Sequence, residues 1–333
     1  MADKPTELPE DRTGKRPRDL PPANADQPKS NLPGARSLKP HWTERLATFD
    51  RRWVFLAMAI AIVVPFFAPL NLPVKASPRV RALYYSVESL HEGDVVFLSM
   101  DFDPASTPEL APFFRAVALH LKRKGVKMVL ASTWYAAPPL VERYIREMVD
   151  RPLIGPDDTD YKGPPDRAYK QNVDYVWLGF REGKEAVIAA MGNDLRATFD
   201  HRAADGTPLA DIPMMEGIHQ LKDFDLIITI SAGFPGTKEY VQQVQSRYDL
   251  PIVAACTAVS TTDLTPYYDA GQLLGLVGGM GAVAEYESLI GKPGLGTQGA
   301  DVLNFGHLVV ILAIVFGNFI YFAGRRQRRK RGQ

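Results

Sequence analysis

The segment DVVFLSMDFDPAST (94–107) runs an apolar stretch into two carboxylates, Asp101 and Asp103, one residue apart. Beyond a strand, such a pair can supply a nucleophile and a general acid or base, or help to hold a divalent cation. It can also do no more than accept N–H groups where a helix begins, and Ser106 and Thr107 precede Pro108 and Glu109 in good N-cap order. Other apolar runs also end in small polar residues: ASTW at Ser132 and Thr133, ISAGFPGT at Ser231, CTAVSTT at Thr257, and VGGMGA. Asp101, Asp103, Ser132, Thr133, Ser231 and Thr257 are the expected ligand-binding set, and Asp101 and Asp103 the catalytic candidates.

The remaining reactive side chains point to less. His41, His91, His120, His201, His219 and His307 are scattered, with no pair at helical spacing and no cysteine cluster, which argues against zinc. The lone cysteine, Cys256, sits among apolar neighbours, as a buried inert thiol would. Gly233, Gly236, Gly278, Gly279 and Gly281 match neither dinucleotide nor P-loop spacing; they could let backbone approach an anion at a helix N-terminus, but tight turns and close strand-helix packing account for them better. GKPGLGTQG (291–299) reads as a flexible linker. No Gly-x-Ser-x-Gly elbow marks a serine nucleophile, although a membrane-anchored peptidase could use Ser132 or Ser231. No cofactor is expected; Mg²⁺ enters only if the carboxylates hydrolyse phosphate esters.

These residues sit at the ends of alternating apolar runs and helical patterns. DVVFLSM (94–100), VKMVLAS (126–132), VDYVWLGF (173–180), FDLIITISA (224–232), LPIVAACTA (250–258) and QLLGLVGG (272–279) read as strands. Between them, helical patterns cover 108–125, closed by Gly125, then 139–149, 184–199, 236–248 and 262–271, and a last one covers 281–290. A Pro, Gly and Asp-rich loop at 155–172 is long enough to act as a lid or binding element. Continuous Val/Ile/Leu strands are buried on both faces, so the fold class is α/β: a largely parallel sheet of about six strands with helices on both faces. In such sheets ligands gather beyond the carboxyl ends of the strands, where the six site residues lie.

Two further runs flank this domain. Trp53 to Val74 carries no charge, and FGHLVVILAIVFGNFIYFAG spans 305–324. Both have the length of a transmembrane helix. Arg36, Lys39, Arg45, Arg51 and Arg52 precede the first, and Arg325, Arg326, Arg328, Arg329, Lys330 and Arg331 follow the second. Fewer cations lie on the other sides, so both termini are expected to be cytoplasmic and the domain extracytoplasmic. The basic tail RRQRRKR fits that topology and anionic lipid better than nucleic acid, as does a net charge of only +1. Ala57 and Ala61 in the first run and Asn318 in the second could pair the spans. The expected organisation is a disordered proline-studded tail (1–52), a signal-anchor helix (53–74), the α/β domain (75–304), a second helix (305–324) and a basic tail (325–333).

Asp-x-Asp after one strand, with Ser132 or Thr133 ending the next, resembles the first two motifs of the haloacid-dehalogenase-like phosphatases. That resemblance implies Asp101 as phosphoryl nucleophile, Asp103 as general acid/base and the hydroxyl as phosphate ligand, with Lys170 or Lys184 as the lysine. It covers about forty residues and departs at Pro104-Ala105-Ser106 and at ISAGFPG, where magnesium-binding acids would stand. Through LNLPVKASPRVRALY, DIPMMEGI and GGMGAVAEYESLIG the chain is also similar to an uncharacterised group of bacterial two-span membrane proteins, which implies that architecture and no activity. The expected function is a membrane-anchored binding or scaffold domain in the bacterial cytoplasmic membrane. Its expected partners are the bilayer and a membrane protein or second copy; a metal-dependent hydrolase using Asp101 and the peptidase are the alternatives.

Overall fold

The computed structural model describes residues 50–68, 74–154 and 166–330. The tail up to residue 49, the end of the first apolar run at 69–73, the 155–165 part of the long loop and the last three residues lie outside the described residues. Six strands form one sheet: β1 (Val95–Asp101), β2 (Lys127–Ser132), β3 (Tyr175–Phe180), β4 (Leu226–Ser231), β5 (Ile252–Cys256) and β6 (Gly275–Gly278). All pairings are parallel and the order is β3-β2-β1-β4-β5-β6. The central strands are buried along almost their whole length, the physical reason for their unbroken apolar runs.

Alternate side chains along each strand supply two cores. Val96, Leu98, Met100, Ile228 and Ile230 face α3 (Thr107–Lys124), α4 (Pro138–Tyr144, prolonged by a π turn at Ile145–Val149) and α9 (Gly279–Leu289). Phe97, Val129, Ile227 and Ala254 face α5 (Lys184–Asn193), α6 (Leu195–Thr198), α7 (Thr237–Tyr240, prolonged through Val241–Gln245 and Ser246–Tyr248) and α8 (Thr261–Asp269). Gly125 closes α3 with φ 69°, as its sequence position predicts. The single helix expected over 184–199 is broken: Asp194 turns extended and its carboxylate caps the second piece through Ala197 N–H.

One domain helix escapes the periodicity reading. α2 (Pro78–Glu88) buries Val80, Leu83 and Val87 on the first core. Ser77 stands at its N-cap but gives its N–H and hydroxyl to Glu285 of α9, at 2.8 and 2.7 Å. α2 crosses β6 so closely that a Cβ on Gly275 would lie 2.3 Å from the Leu83 backbone nitrogen.

The two apolar runs form α1 (Arg51–Phe67) and α10 (Leu295–Lys330). Among the described residues only α10 is long and apolar enough to cross a membrane. The first run is shorter as a helix than the expected 53–74 span: 17 residues rise about 26 Å, against a hydrocarbon core of about 30 Å. It stops because Ala68 precedes Pro69, a position where helical backbone is disfavoured, and Ala68 has left the helical region at φ −132°. α10 in turn begins ten residues before the expected 305. α1 lies along α10. The covered face of α1 is Met58, Ala61 and Pro65: Ala61 is covered as expected, whereas Ala57 and Asn318 are exposed.

The 291–299 segment is no loose linker. Glu287 of α9 is buried and receives N–H groups from Gly294, Gly296 and Thr297 at 2.9, 3.0 and 2.7 Å, and the Thr297 hydroxyl at 2.6 Å. A carboxylate of the chain itself thus occupies the N-terminus of α10. Gly296 and Gly299 let α10 approach α9: Cβ atoms there would come within 2.6 Å of Val283 and 1.7 Å of Met280.

Candidate functional site

Strand order decides which polar ends meet. β1 and β4 are neighbours, yet the chain leaves β1 towards one face of the sheet and β4 towards the other, which opens the crevice where doubly wound sheets take ligands. Asp101 and Ser231 are register partners at its mouth. No glycine stands between Asp101 and Thr107, so this first turn lacks the close backbone approach that a dinucleotide pyrophosphate needs.

Asp101 is fully buried and surrounded by donors. The Thr133 N–H and hydroxyl reach its Oδ1 at 2.6 and 2.8 Å, the Ser132 hydroxyl lies 3.4 Å away, and the Ser99 hydroxyl donates to Oδ2. Burial pushes the carboxyl up to about 6 against the pull of those hydrogen bonds. Ser99 Oγ also lies 3.0 Å from the Tyr240 hydroxyl. Burial, then the Asp101 charge, holds that phenol well above its usual range.

A second hydroxyl cluster adjoins the first on the same face of the sheet. Thr237 Oγ1 is 2.9 Å from both Thr229 Oγ1 and Ser231 Oγ, and its N–H donates to Ser231 Oγ at 3.2 Å. Gly236 makes this possible, since a Cβ there would sit 2.7 Å from Ser231 Oγ. Glu239 accepts the Gly236 N–H at 2.8 Å and closes the turn.

The other two expected site residues belong to separate turns. Asp103 accepts the Ser106 N–H and hydroxyl at 3.0 and 2.7 Å, which lowers its pKa. Ser106 occupies the N-cap position of α3 without capping it, because its hydroxyl is turned back to Asp103. Thr257 Oγ1 faces Ser260 Oγ at 3.1 Å. The structure therefore brings Asp101, Ser132 and Thr133 together, sets Ser231 beside them, and leaves Asp103 and Thr257 in local turns along the same edge.

Chemically, Asp101 is an enclosed acceptor more than an open nucleophile. A phosphoryl acceptor must be approachable, whereas Asp101 is enclosed and its oxygens are taken by Ser99, Ser132 and Thr133. Ser132 Oγ accepts the Trp134 N–H at 3.0 Å and Ser231 Oγ the Thr237 N–H, so each hydroxyl oxygen supports a turn. Among the described residues no three carboxylate, imidazole or thiol groups are grouped as a metal would need. Lys184 lies over the Phe234 ring, 5.6 Å from its centroid.

Sequence reasoning overlooked Ser99, Thr229, Thr237 and Tyr240. The signal was a polar residue two positions before Asp101 and before Ser231, on the same face of an otherwise apolar strand. It also overlooked a cavity of ≈ 550 Å³ beside this edge, bordered by Phe66, Pro108, Glu109, Ala258, Gly278–Gly281, Gly299, Val302 and Leu303. That cavity joins the strand ends to the ends of α1 and α10. No family model, curated protein or solved structure matches this chain.

Proposed function

We propose that the chain is a membrane-anchored α/β binding or scaffold domain, held outside the cytoplasm by α1 and α10 and belonging to a membrane complex. The observation that carries this reading is α10. Its apolar side chains, among them Ile311, Leu312, Ile314, Val315 and Phe319, are exposed over a length that fits a bilayer, and an apolar patch of that extent marks a surface meant for lipid or another protein. The arginines after residue 324 and those before α1 favour cytoplasmic ends. The 17 residues of α1 are at the short end of what spans a bilayer, and the uncharged sequence continues to Val74. A binding role is favoured over turnover by the saturated state of Asp101.

Two measurements test it. External protease on intact cells should cut the α/β domain while alkaline carbonate leaves the chain in the membrane; digestion only after lysis overturns the orientation, and extraction by carbonate overturns the anchor. Ligand screening of the full chain in detergent should give thermal stabilisation without turnover. Metal-dependent hydrolysis of a generic phosphate ester that is lost in Asp101→Asn would establish the hydrolase instead.

A further inference from the structure

Three loops at the carboxyl edge of the sheet each hold one apolar side chain in solvent. Tyr135 after β2 is 85% exposed, Phe234 after β4 is 55% exposed and Val259 after β5 is 86% exposed. Hydrogen bonds tie these loops into one row. Trp134 Nε1 donates to the Pro235 carbonyl at 2.6 Å, joining the first to the second. The Ser260 hydroxyl donates to the Ala232 carbonyl at 3.1 Å, joining the second to the third. Ala258, beside Val259, donates its N–H to Glu109 at 2.8 Å and borders the cavity that it shares with Phe66, Val302 and Leu303. The linked loops thus extend from Tyr135 to the groove at α1 and α10, where Phe66 and Phe67 are exposed as well.

We propose that this edge rests on the bilayer. Tyr135, Phe234 and Val259 enter the headgroup layer of the leaflet that holds the Phe67 end of α1, and the crevice above Asp101 and Ser231 opens onto lipid. The proposal rests on the membrane reading given above. A lipid surface fits better than a protein partner. Single apolar tips on separate loops, divided by serine, threonine and glycine, suit shallow insertion, whereas a protein interface requires a contiguous patch of about 800 Å² on each side. Lys184, stacked on Phe234, puts a cation at the depth of lipid phosphates.

The test uses the full chain in phosphatidylcholine and phosphatidylglycerol vesicles. Cys256 is buried and its thiol is pushed up to about 11, chiefly by burial, so cysteines introduced elsewhere can be labelled selectively. An environment-sensitive fluorophore is placed in turn at Tyr135→Cys, Phe234→Cys and Val259→Cys, at Val173→Cys as an exposed apolar control at the opposite edge, and at Ile311→Cys within α10. Each variant is first checked for a wild-type melting temperature. Lipids carrying a nitroxide near the headgroup should at least halve emission from the three loop sites and leave Val173→Cys unchanged. Lipids with the nitroxide near the bilayer centre should quench Ile311→Cys. Quenching at Ile311→Cys with fewer than two loop sites responding overturns the proposal and leaves the membrane reading standing. No quenching at Ile311→Cys overturns both. Equal quenching at Val173→Cys overturns the assignment to this edge.

Discussion

Asp101 and His120 are both enclosed, and burial displaces their proton equilibria in opposite senses. His120 lies between the Tyr286 hydroxyl at 2.8 Å and Glu88 at 2.7 Å, and burial pulls it down to about 4 against the opposing pull of Glu88. It is neutral at pH 7, with Nε2–H donating to the carboxylate and Nδ1 accepting from the phenol. For Asp101, the folded value of about 6 lies above the ordinary 3.8; its contribution to stability is complete below 3.8 and lost as pH rises through 6. For His120, the folded value of about 4 lies below the ordinary 6.5; its contribution is complete above 6.5 and lost as pH falls through 4. Each shift corresponds to about 3 kcal/mol, so between pH 4 and 6 the two slopes nearly cancel. In thermal melts across that range the two contributions should oppose each other in the wild type, and the variants separate them. Asp101→Asn should lose stability as pH falls, and His120→Phe should gain it; parallel profiles for the two variants would refute the assignment. Another enclosed side chain, Lys122, meets Asp166 at 2.7 Å, while Asp166 accepts the N–H groups of Leu153 and Ile154 and Lys122 donates to the Arg151 carbonyl at 2.6 Å. Together they clasp both flanks of the 155–165 segment. Lys122→Met should cost about 3–5 kcal/mol in urea unfolding, because it strands a buried carboxylate, and Lys122→Met with Asp166→Leu should recover much of it.

At the level of elements, two helix contacts depend on missing side chains. β6 carries Gly275 because the backbone of α2 occupies the space of a Cβ, and a backbone cannot rotate aside. Gly275→Ala should destabilise the domain by about 1–3 kcal/mol, and a melting temperature equal to wild type would show that α2 sits farther away. α10 is joined to the domain by Glu287 together with Gly294, Gly296 and Gly299. Glu287→Gln retains the shape but loses the charge that meets the helix N-terminus, so hydrogen exchange at Gly296 and Thr297 should quicken by about one order of magnitude or more, with the sheet unaffected. The same segment shows why some elements were hard to read. Glycine and proline at 291–299 suggest slack, yet here the glycines serve close approach, and only the position of α9 reveals that. α2 had legible marks in Ser77, Pro78 and the 80, 83, 87 apolar spacing, but Arg79, Arg81 and the exposed Tyr85 obscured them. By contrast, the strands were plain, because burial on both faces leaves an unbroken apolar run whatever the neighbours are.

For the molecule as a whole, the shared edge of the site residues was readable, since parallel strands carry all their carboxyl ends to one side. Which of them touch was not. That depends on β1 lying next to β4, a pairing across 125 residues from Asp101 to Leu226 that no local pattern encodes, and on Thr237 and Tyr240 arriving from a helix behind the sheet. Nor could the apolar composition of the tips at Tyr135, Phe234 and Val259 be told from scattered surface residues until the hydrogen bonds between their loops were seen.

The carboxylate clamp at the start of α10 also sets how force passes through the chain. A helix of 36 residues is about 54 Å long, and its first turn is hydrogen-bonded to Glu287 of α9. Inside a bilayer, a neighbouring protein that rolled or tilted this shaft would load α9 through the Glu287 clamp before anything else in the domain. Assembly in the plane of the membrane would then be felt at α9 as torque.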